Sequence, residues 1–350
     1  MSKTAKEYSE VVYWLMIELG LTIDVNNPIF ALQLYEQVPD SSDAHLMSQL
    51  CSLQALLRRG SYKELQSKAQ DFLDTQELPS SYETRLLHII GAADWLMGDA
   101  KRALHYFEKA RIKNYQAGDK MFEATLNMGL GIGYRAQGDE DKALSYLQLA
   151  HDAHVESNSV FGVAQTLANF AIIHLESEEL DKARELCLES KDLFYEIGNF
   201  NGASYQYGTL GDIYASQGNY SEALRAYSKS YKLLVQTSDK RGEARLLSVI
   251  GSCRAKVALE IGGGKYEIKK ALETLVRSHN SFDELELRQL FRTEAWIALC
   301  YDRLGDSSSA YDYAKKATAT AEQNGVTPEN CSGVFSEALV DVQRIIAEHE

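Results

Sequence analysis

Apolar residues recur along the chain with the period of an amphipathic helix. Near residue 340, for example, Leu339, Val342 and Ile346 fall on one helical stripe, and charged residues lie opposite. The stretch from 80 to 327 contains no proline, the residue that most strongly ends or kinks a helix. The pattern therefore predicts an all-α protein.

Small residues recur within this helical pattern at strict intervals of forty residues. One set comprises Gly91, Gly131, Ala171, Gly211 and Gly251, and a second set comprises Ala103, Ala143, Ala183 and Ala223. Seven residues after each of the first four members comes a turn, written Gly98-Asp99, Gly138-Asp139, Glu178-Glu179 and Gly218-Asn219. Glycine ends a helix because it readily adopts the left-handed conformation. The repeating unit is therefore predicted to be helix A, a turn and helix B, with small residues where the two helices approach closely.

A second turn recurs between units, at Gly118-Asp119, Asn158-Ser159, Gly198-Asn199 and Ser238-Asp239. With less regular spacing the pattern extends outward to eight units and a polar capping helix, as a stack of repeats requires. We predict one domain, 1–350, with units at about 4–40, 42–78, 81–118, 119–158, 159–198, 199–238, 239–284 and 287–325 and a capping helix at 333–349. The seventh unit has extra residues around Gly262-Gly263-Gly264, which predicts a longer helix A and a mobile loop.

The repeated residues resemble a known motif. The order Leu130-Gly131, Tyr134, Ala143, Leu147, Ala150 resembles the tetratricopeptide repeat, and Leu210-Gly211, Tyr214, Ala223, Tyr227 repeats it. The resemblance covers almost the whole chain and implies a right-handed α-α superhelix. This chain lacks the proline that usually closes each repeat, and it uses forty residues where about thirty-four are typical. That longer variety resembles the repeats of bacterial peptide-sensing regulators, of sensor domains in bacterial transcription activators and of adaptors that bind cell-polarity proteins.

The resemblance implies that helix A lines a concave face. At about 100° per residue, positions −6, −3, +1 and +4 from the small residue share one stripe. This stripe, with Asn169 beside it, predicts a partner-binding groove formed by Arg85, His88, Trp95, Thr125, Met128, Ile132, Arg135, Gln165, Asn169, Ile172, Tyr205, Asp212, Arg245 and Ser252. An apolar centre edged by arginine and tyrosine is typical of protein-binding surfaces. Asn169 alone matches the residues with which chaperone-binding members of the family hold a C-terminal carboxylate, so that activity is not expected.

Charge and cysteine content narrow the classes of partner. Fifty acidic and 36 basic residues give a net charge of −14, and no Lys/Arg cluster is evident along the sequence. We therefore expect no direct binding to nucleic acid or to an anionic membrane. The five cysteines are far apart and form no CxxC pair, which predicts neither disulfides nor a zinc site and favours the cytosol. The apolar run 11–17 lies between Glu10 and Glu18 and is interpreted as a first helix, not a signal peptide or membrane span.

Three features suggest other chemistry, and each has a simpler structural interpretation. The segment Gly129-Leu130-Gly131-Ile132-Gly133 resembles a phosphate loop, but such a loop follows a strand, and these glycines lie within helix A. His151 and His154 could share a metal, yet no further ligand completes the set. His174 and Cys187 are interpreted as packed residues. We predict no catalytic residue, no metal and no cofactor.

The sequence thus predicts a cytosolic, non-enzymatic scaffold or adaptor. Its partner would be a peptide or protein segment, extended or helical, that carries some negative charge. The alternative is a sensor whose shape and effector binding change with a small peptide or ligand. An enzyme would need an enclosed pocket with converging polar groups. The repeats leave the identity of the partner, the pathway and the oligomeric state open.

Overall fold

The chain was studied in a computed structural model, which describes residues 3–24, 28–75, 77–284, 290–323, 326–327 and 337–348. Within those ranges the chain forms seventeen α-helices and no strand, so the predicted all-α class is confirmed. The helices are α1 Lys3–Asp24, α2 Pro28–Tyr35, α3 His45–Arg59, α4 Tyr62–Thr75, α5 Ser80–Met97, α6 Ala100–Ala117, α7 Lys120–Ala136, α8 Glu140–Glu156, α9 Val160–Glu176, α10 Leu180–Glu196, α11 Phe200–Ser216, α12 Tyr220–Gln236, α13 Lys240–Glu260, α14 Lys265–Glu284, α15 Phe291–Leu304, α16 Ser307–Gln323 and α17 Ala338–Ala347.

The chain divides into two compact units, residues 1–150 (unit 1) and 151–350 (unit 2). In unit 1, consecutive helices pack as the pairs α1–α2, α3–α4 and α5–α6, and Leu147 of α8 lies against Gly131 of α7. In unit 2 the pairs are α9–α10, α11–α12, α13–α14 and α15–α16, and α17 packs on the last of them. The prediction of a single solenoid over 1–350, with its repeat boundaries, stays a prediction.

The turns between helices have the conformations that the sequence predicts. Gly98, Gly118, Gly138, Gly198 and Gly218 all have positive φ, between 67° and 95°. At the equivalent positions without glycine, Asn158, Glu178 and Ser238 adopt the same left-handed conformation, with φ between 53° and 60°. At several of the next helix starts the preceding residue accepts a side-chain hydrogen bond from the backbone N–H three residues later, as at Asp99, Asp119, Ser159, Asn199 and Asp239. Glu179 and Asn219, at the equivalent positions before α10 and α12, form no such bond. The left-handed turn therefore marks these helix ends, and the side-chain cap marks only some of the starts.

Within each helix pair, the recurrent small residues lie where helix A crosses helix B. A Cβ atom on Gly91 would lie 2.8 Å from a ring carbon of Phe107, and one on Gly131 would lie 2.6 Å from Cγ of Leu147. The same atom on Gly211 would overlap the ring of Tyr227. The alanines of both sets are fully buried, namely Ala171, Ala103, Ala143, Ala183 and Ala223. Larger side chains at these positions would force the paired helices apart.

A hydrogen bond between the two helices of a pair recurs in unit 2. The buried hydroxyls of Ser190, Ser230 and Ser278, each on a helix B, donate to backbone carbonyl oxygens of the preceding helix A over 2.7 to 2.8 Å. Each of these carbonyl oxygens also accepts a backbone hydrogen bond within its own helix. The serine hydroxyl therefore adds an interhelical hydrogen bond without breaking that helix. It sets the register of helix B against helix A.

The end of the chain departs from strict repetition as predicted. Helix α13 has 21 residues, whereas its counterparts α9 and α11 have 17, so the predicted lengthening is confirmed. The capping helix is observed at Ala338–Ala347, where Leu339, Val342 and Ile345 are buried. Residues 333–336 and 349 of its predicted span lie outside the described residues, and so does one of the five cysteines, Cys331.

Candidate functional site

The candidate site consists of the helix-A side chains that are not used for packing. We call the predicted groove residues of α5 and α7 the unit 1 stripe, and those of α9, α11 and α13 the unit 2 stripe. The unit 1 stripe comprises Arg85, His88, Trp95, Thr125, Met128, Ile132 and Arg135, and each of these side chains is partly exposed. The neighbouring residues Leu86, Leu126 and Leu130, in contrast, are fully buried. The stripe is thus distinct from the faces that form the core.

The two arginines of the unit 1 stripe are engaged within the unit. Arg85 donates to Asp119 over 2.8 Å, and its guanidinium lies 4.6 Å from the ring centroid of Phe122. The guanidinium of Arg135 lies 5.8 Å from the ring centroid of Trp95, a cation–π distance. Because of these contacts both side chains are held against the helix surface.

His88 lies between aromatic rings on the same stripe. Its ring centroid is 5.5 Å from that of Phe107 and 5.3 Å from that of Phe122. Burial, with the positive charge of Arg85 as a second cause, lowers the pKa of His88 to about 4. His88 is therefore neutral at physiological pH and contributes an aromatic surface.

The unit 2 stripe comprises Gln165, Asn169 and Ile172 on α9, Tyr205 and Asp212 on α11, and Arg245 and Ser252 on α13. Arg245 is exposed, Tyr205 is 39% exposed, and the residues of α9 are partly exposed.

Ser252 differs from the rest of the stripe because it is only 3% exposed. Helix α13 packs on α15 as well as on α14, and the hydroxyls of Ser248 and Thr293 join α13 to α15 at 2.6 Å. We therefore leave Ser252 out of the surface that we propose below.

Asp212 is the acidic residue of the unit 2 stripe. Its carboxylate accepts a hydrogen bond from the hydroxyl of Tyr227 at 2.7 Å. Desolvation raises the pKa of Asp212 to about 6, although the Tyr227 hydrogen bond and the charges of Arg292 and Arg245 act in the opposite direction. A carboxyl group with such a pKa is sensitive to small changes of pH near neutrality.

Tyr205 and Arg245 lie beside each other on adjacent helices. The Tyr205 hydroxyl donates to Asp239 over 2.8 Å, and burial raises the pKa of Tyr205. Arg245 is solvent-exposed, but the surrounding helices displace part of the water around its guanidinium. This desolvation, and then the positive charge of Arg241, lowers the pKa of Arg245 to about 10, so the side chain remains charged at neutral pH.

Two charged residues of this region were missed in the sequence. Arg241 precedes Arg245 by one helical turn on α13, and Arg292 lies at the start of α15. The signal was present, because Arg292 lies six residues before Ala298, and Ala298 lies seven residues before the turn at Gly305. Arg292 therefore occupies in α15 the position, relative to the small residue, that Arg245 occupies in α13.

The other chemistry weighed in the sequence is accounted for by packing. Gly129, Gly131 and Gly133 lie inside α7, where Cβ atoms would press on Phe107, Leu147 and Leu104. His151 lies 3.0 Å from the hydroxyl of Thr166, and the ring of His154 covers Gly162. His174 and Cys187 are buried, and burial raises the pKa of the Cys187 thiol to about 12. Among the residues that the structure describes, no three His, Cys, Asp or Glu side chains are grouped as metal ligands.

Comparison with known proteins supports the fold. Residues 207–233, at the end of α11 and through most of α12, match the model of the tetratricopeptide repeat family. The TPR repeat-containing protein YpiA of Bacillus subtilis (strain 168) is 23% identical over 269 residues, which cover 75% of this chain and 55% of YpiA. The chain thus spans about half the length of that relative.

Three solved structures share the helical architecture over most of the chain. A Rap protein in complex with competence and sporulation factor has a TM-score of 0.66 at 14% identity, covering 97% of this chain and all of the other. NprR in complex with its cognate peptide NprX has a TM-score of 0.59 at 13% identity, with coverages of 95% and 98%. Aspartyl phosphate phosphatase F of Bacillus subtilis has a TM-score of 0.50 at 13% identity, with coverages of 88% and 80%.

The fold and the repeat positions define the class of protein. The chain is an all-helical protein of tetratricopeptide-type helix pairs, and the resemblance predicted from the sequence is confirmed. In the described part of the chain, every helix is too short or too polar to cross a lipid bilayer.

Proposed function

We propose that this protein is a non-enzymatic scaffold or adaptor that binds a peptide or protein segment along its helix-A stripes. The observation that carries the proposal is the partial exposure of the stripe residues, which differ from the buried helix-A residues beside them. On α11, Tyr205 is 39% exposed, whereas Gln206 is 4% exposed and Leu210 is 4% exposed. Aromatic, arginine and apolar side chains held at a rigid helical surface are the usual composition of a protein-binding site.

The comparisons support a peptide or protein as the partner. Two structures that share the fold over nearly all of this chain are complexes, one with competence and sporulation factor and the other with the peptide NprX. Sequence identities of 13% and 14% establish a shared fold and nothing about the ligand. The ligand of this chain therefore has to be inferred from its own residues.

Binding is favoured over catalysis by the state of the nucleophilic side chains. Cys187, Cys253 and Cys300 are fully buried, and desolvation raises the pKa of each thiol to about 12. Such thiols remain protonated and inaccessible at neutral pH. The free, buried cysteines also agree with the reducing cytosol that we propose as the location.

Selection from a random peptide display library on the immobilised protein tests the proposal. Peptides selected on the wild-type chain should lose at least tenfold in affinity, measured by fluorescence anisotropy, with the stripe variants Ile132→Glu, Tyr205→Ala or Arg245→Ala. The matched control is Lys232→Ala, which removes an exposed cation from helix B of the same repeat as Tyr205. Equal binding by the stripe variants and the control would place the partner on another surface.

The second candidate function is that of a sensor whose shape responds to its ligand. It is favoured by the two complexes named above, whose folds extend over 95% or more of this chain. Small-angle scattering with and without a selected peptide distinguishes the two. A reduced radius of gyration in the complex supports the sensor, and an unchanged radius supports the rigid scaffold.

A further inference from the structure

Three arginines from two helices lie in one region of unit 2, and the charges of two of them, Arg245 and Arg292, act on the carboxyl group of Asp212. Arg241 and Arg245 lie one turn apart on α13, and Arg292 lies on α15, which packs on α13. The contact between Ser248 and Thr293 holds the two helices together one turn from Arg245 and next to Arg292. The charges of Arg241 and Arg292 both disfavour the protonated form of Arg245, which places each of these two guanidinium groups within electrostatic range of Arg245.

Arg241 and Arg245 have hydrogen-bonding capacity that the described residues do not use. Arg245 is exposed and forms no ion pair within 4.0 Å with any residue in the described ranges. The Nε atom of Arg241 is buried and lacks a hydrogen-bond partner there. A buried guanidinium N–H without an acceptor is costly in the free protein.

The acidic residues of the same region already accept hydrogen bonds from groups other than the three arginines. Asp212 accepts the hydroxyl of Tyr227, and Asp239 accepts the hydroxyl of Tyr205 and the N–H of Gly242. Among the described residues whose charges act on one another here, three arginines accompany two carboxylates, those of Asp212 and Asp239. The net charge of the whole chain, in contrast, is −14.

We propose that the cluster of Arg241, Arg245 and Arg292 binds acidic side chains of the segment that occupies the unit 2 stripe. The inference rests on the proposed function and names the chemistry of its partner. Guanidinium groups hold carboxylates through paired, charge-assisted hydrogen bonds. Arg241 and Arg245 are separated by about 5 to 6 Å along α13, and Arg292 lies on another helix, so the cluster is wider than one carboxylate. Successive acidic side chains match this width better than a single terminal carboxylate.

Three acetylated six-residue probe peptides test the inference at low ionic strength. The first alternates Gly and Glu and ends in an amide, the second alternates Gly and Gln and ends in an amide, and the third is the Gln peptide with a free C-terminal carboxylate. We expect the Glu peptide to bind at least tenfold more tightly than both Gln peptides in a fluorescence anisotropy titration. The double variant Arg241→Gln/Arg245→Gln should lower its affinity to that of the neutral amide.

The control variant is Arg254→Gln, on the exposed side of the same helix, where the guanidinium donates to Thr274 over 3.1 Å. It removes one positive charge and should leave the affinity for the Glu peptide within about twofold. The single variant Arg245→Gln, at an exposed position, should weaken binding without altering the circular dichroism spectrum, which separates loss of binding from loss of fold.

The outcomes are distinct for the inference and for the proposed function. Equal affinities for the Glu and neutral peptides, a preference for the free terminal carboxylate, or a Glu preference that survives in the double variant would each overturn the inference. If library-selected peptides still depend on Tyr205 and Ile132 in that case, the binding function stands and only the acidic partner is wrong. If no library peptide binds, the proposed function itself fails.

Discussion

At the scale of single residues, two glycines of α11 differ in what surrounds the missing side chain. A Cβ atom at Gly208 would have its nearest neighbour at 3.8 Å, the hydroxyl of Ser230. A Cβ atom at Gly211 would overlap the ring of Tyr227, which is fully buried against Asp212. Helix propensity favours alanine at both positions. Packing alone therefore decides whether replacing the glycine by alanine stabilises or destabilises the protein.

The pair gives a matched prediction about stability. Gly211→Ala should lower the free energy of unfolding by about 1–3 kcal/mol because the inserted methyl group forces the helices apart. Gly208→Ala should raise it by about 0.5–1 kcal/mol because alanine loses less backbone entropy. Urea denaturation followed by circular dichroism measures both. Similar effects for the two variants would show that close packing at Gly211 is not required.

His88 gives a prediction about pH. Its pKa is 6.5 in an unfolded chain and about 4 in the fold, so the unfolded state binds more protons between these values. The folded state is therefore favoured at neutral pH, and that advantage decreases as the pH falls from about 6.5 towards 4. For this group alone the free energy of unfolding should fall by up to about 2 kcal/mol between pH 7 and pH 5. In His88→Phe this part of the slope should vanish, whereas a slope equal to that of the wild type would assign the effect to other groups.

At the scale of helices, the forty-residue period is expressed in contacts between the members of each pair. Ser190 and Ser230 are forty residues apart, and each bonds a carbonyl oxygen of its own helix A at 2.7 Å. In unit 1 the corresponding positions 110 and 150 hold alanine, and both alanines are fully buried. The site therefore accepts alanine sterically, and the hydroxyl adds a polar contact in unit 2.

Replacing this serine isolates the contribution of the interhelical hydrogen bond. Ser230→Ala should destabilise the protein by about 0.5–1.5 kcal/mol, the net value of one such bond. Ser228→Ala is the control, because Ser228 is exposed and its hydroxyl bonds within its own helix, to the carbonyl oxygen of Leu224. Chemical denaturation of both variants provides the comparison, and a loss of stability no greater than that of the control would remove the proposed role of the bond.

At the scale of the whole molecule, the helices of unit 2 form a stack in which contacts join sequential neighbours. Helix α11 packs on α10 and α12 and also touches α9 and α13, whereas α17 packs on α15 and α16. In such stacks a local perturbation acts mainly on adjacent repeats.

Amide hydrogen exchange should show that a substitution in one helix affects only the adjacent helices. Gly211→Ala is expected to raise exchange rates in α11, α12 and the adjoining α10 and α13, and to leave α16 and α17 unchanged. Gly208→Ala should raise none of them. A uniform increase throughout unit 2 would mean that the stack opens as one cooperative body instead.

The sequence by itself determined the helices, their turns and their pairing. Gly98 followed by Asp99, for example, specifies a helix end and the next helix start through backbone conformation and a local hydrogen bond, and both appear where predicted. Small residues every forty positions likewise identified the crossing points, because close approach demands small side chains at any crossing.

Only the tertiary structure decided which stripe residues remain accessible to solvent and which charged side chains lie close to one another. Ser252 fits the stripe rule, but in the fold it is only 3% exposed. Arg241 and Arg292 are 51 positions apart in the sequence, yet the charges of both act on Arg245. Helical periodicity tells on which face of its own helix a residue lies. Burial and charge pairing depend instead on which helix lies next to that face, and the packing of the fold decides which helix that is.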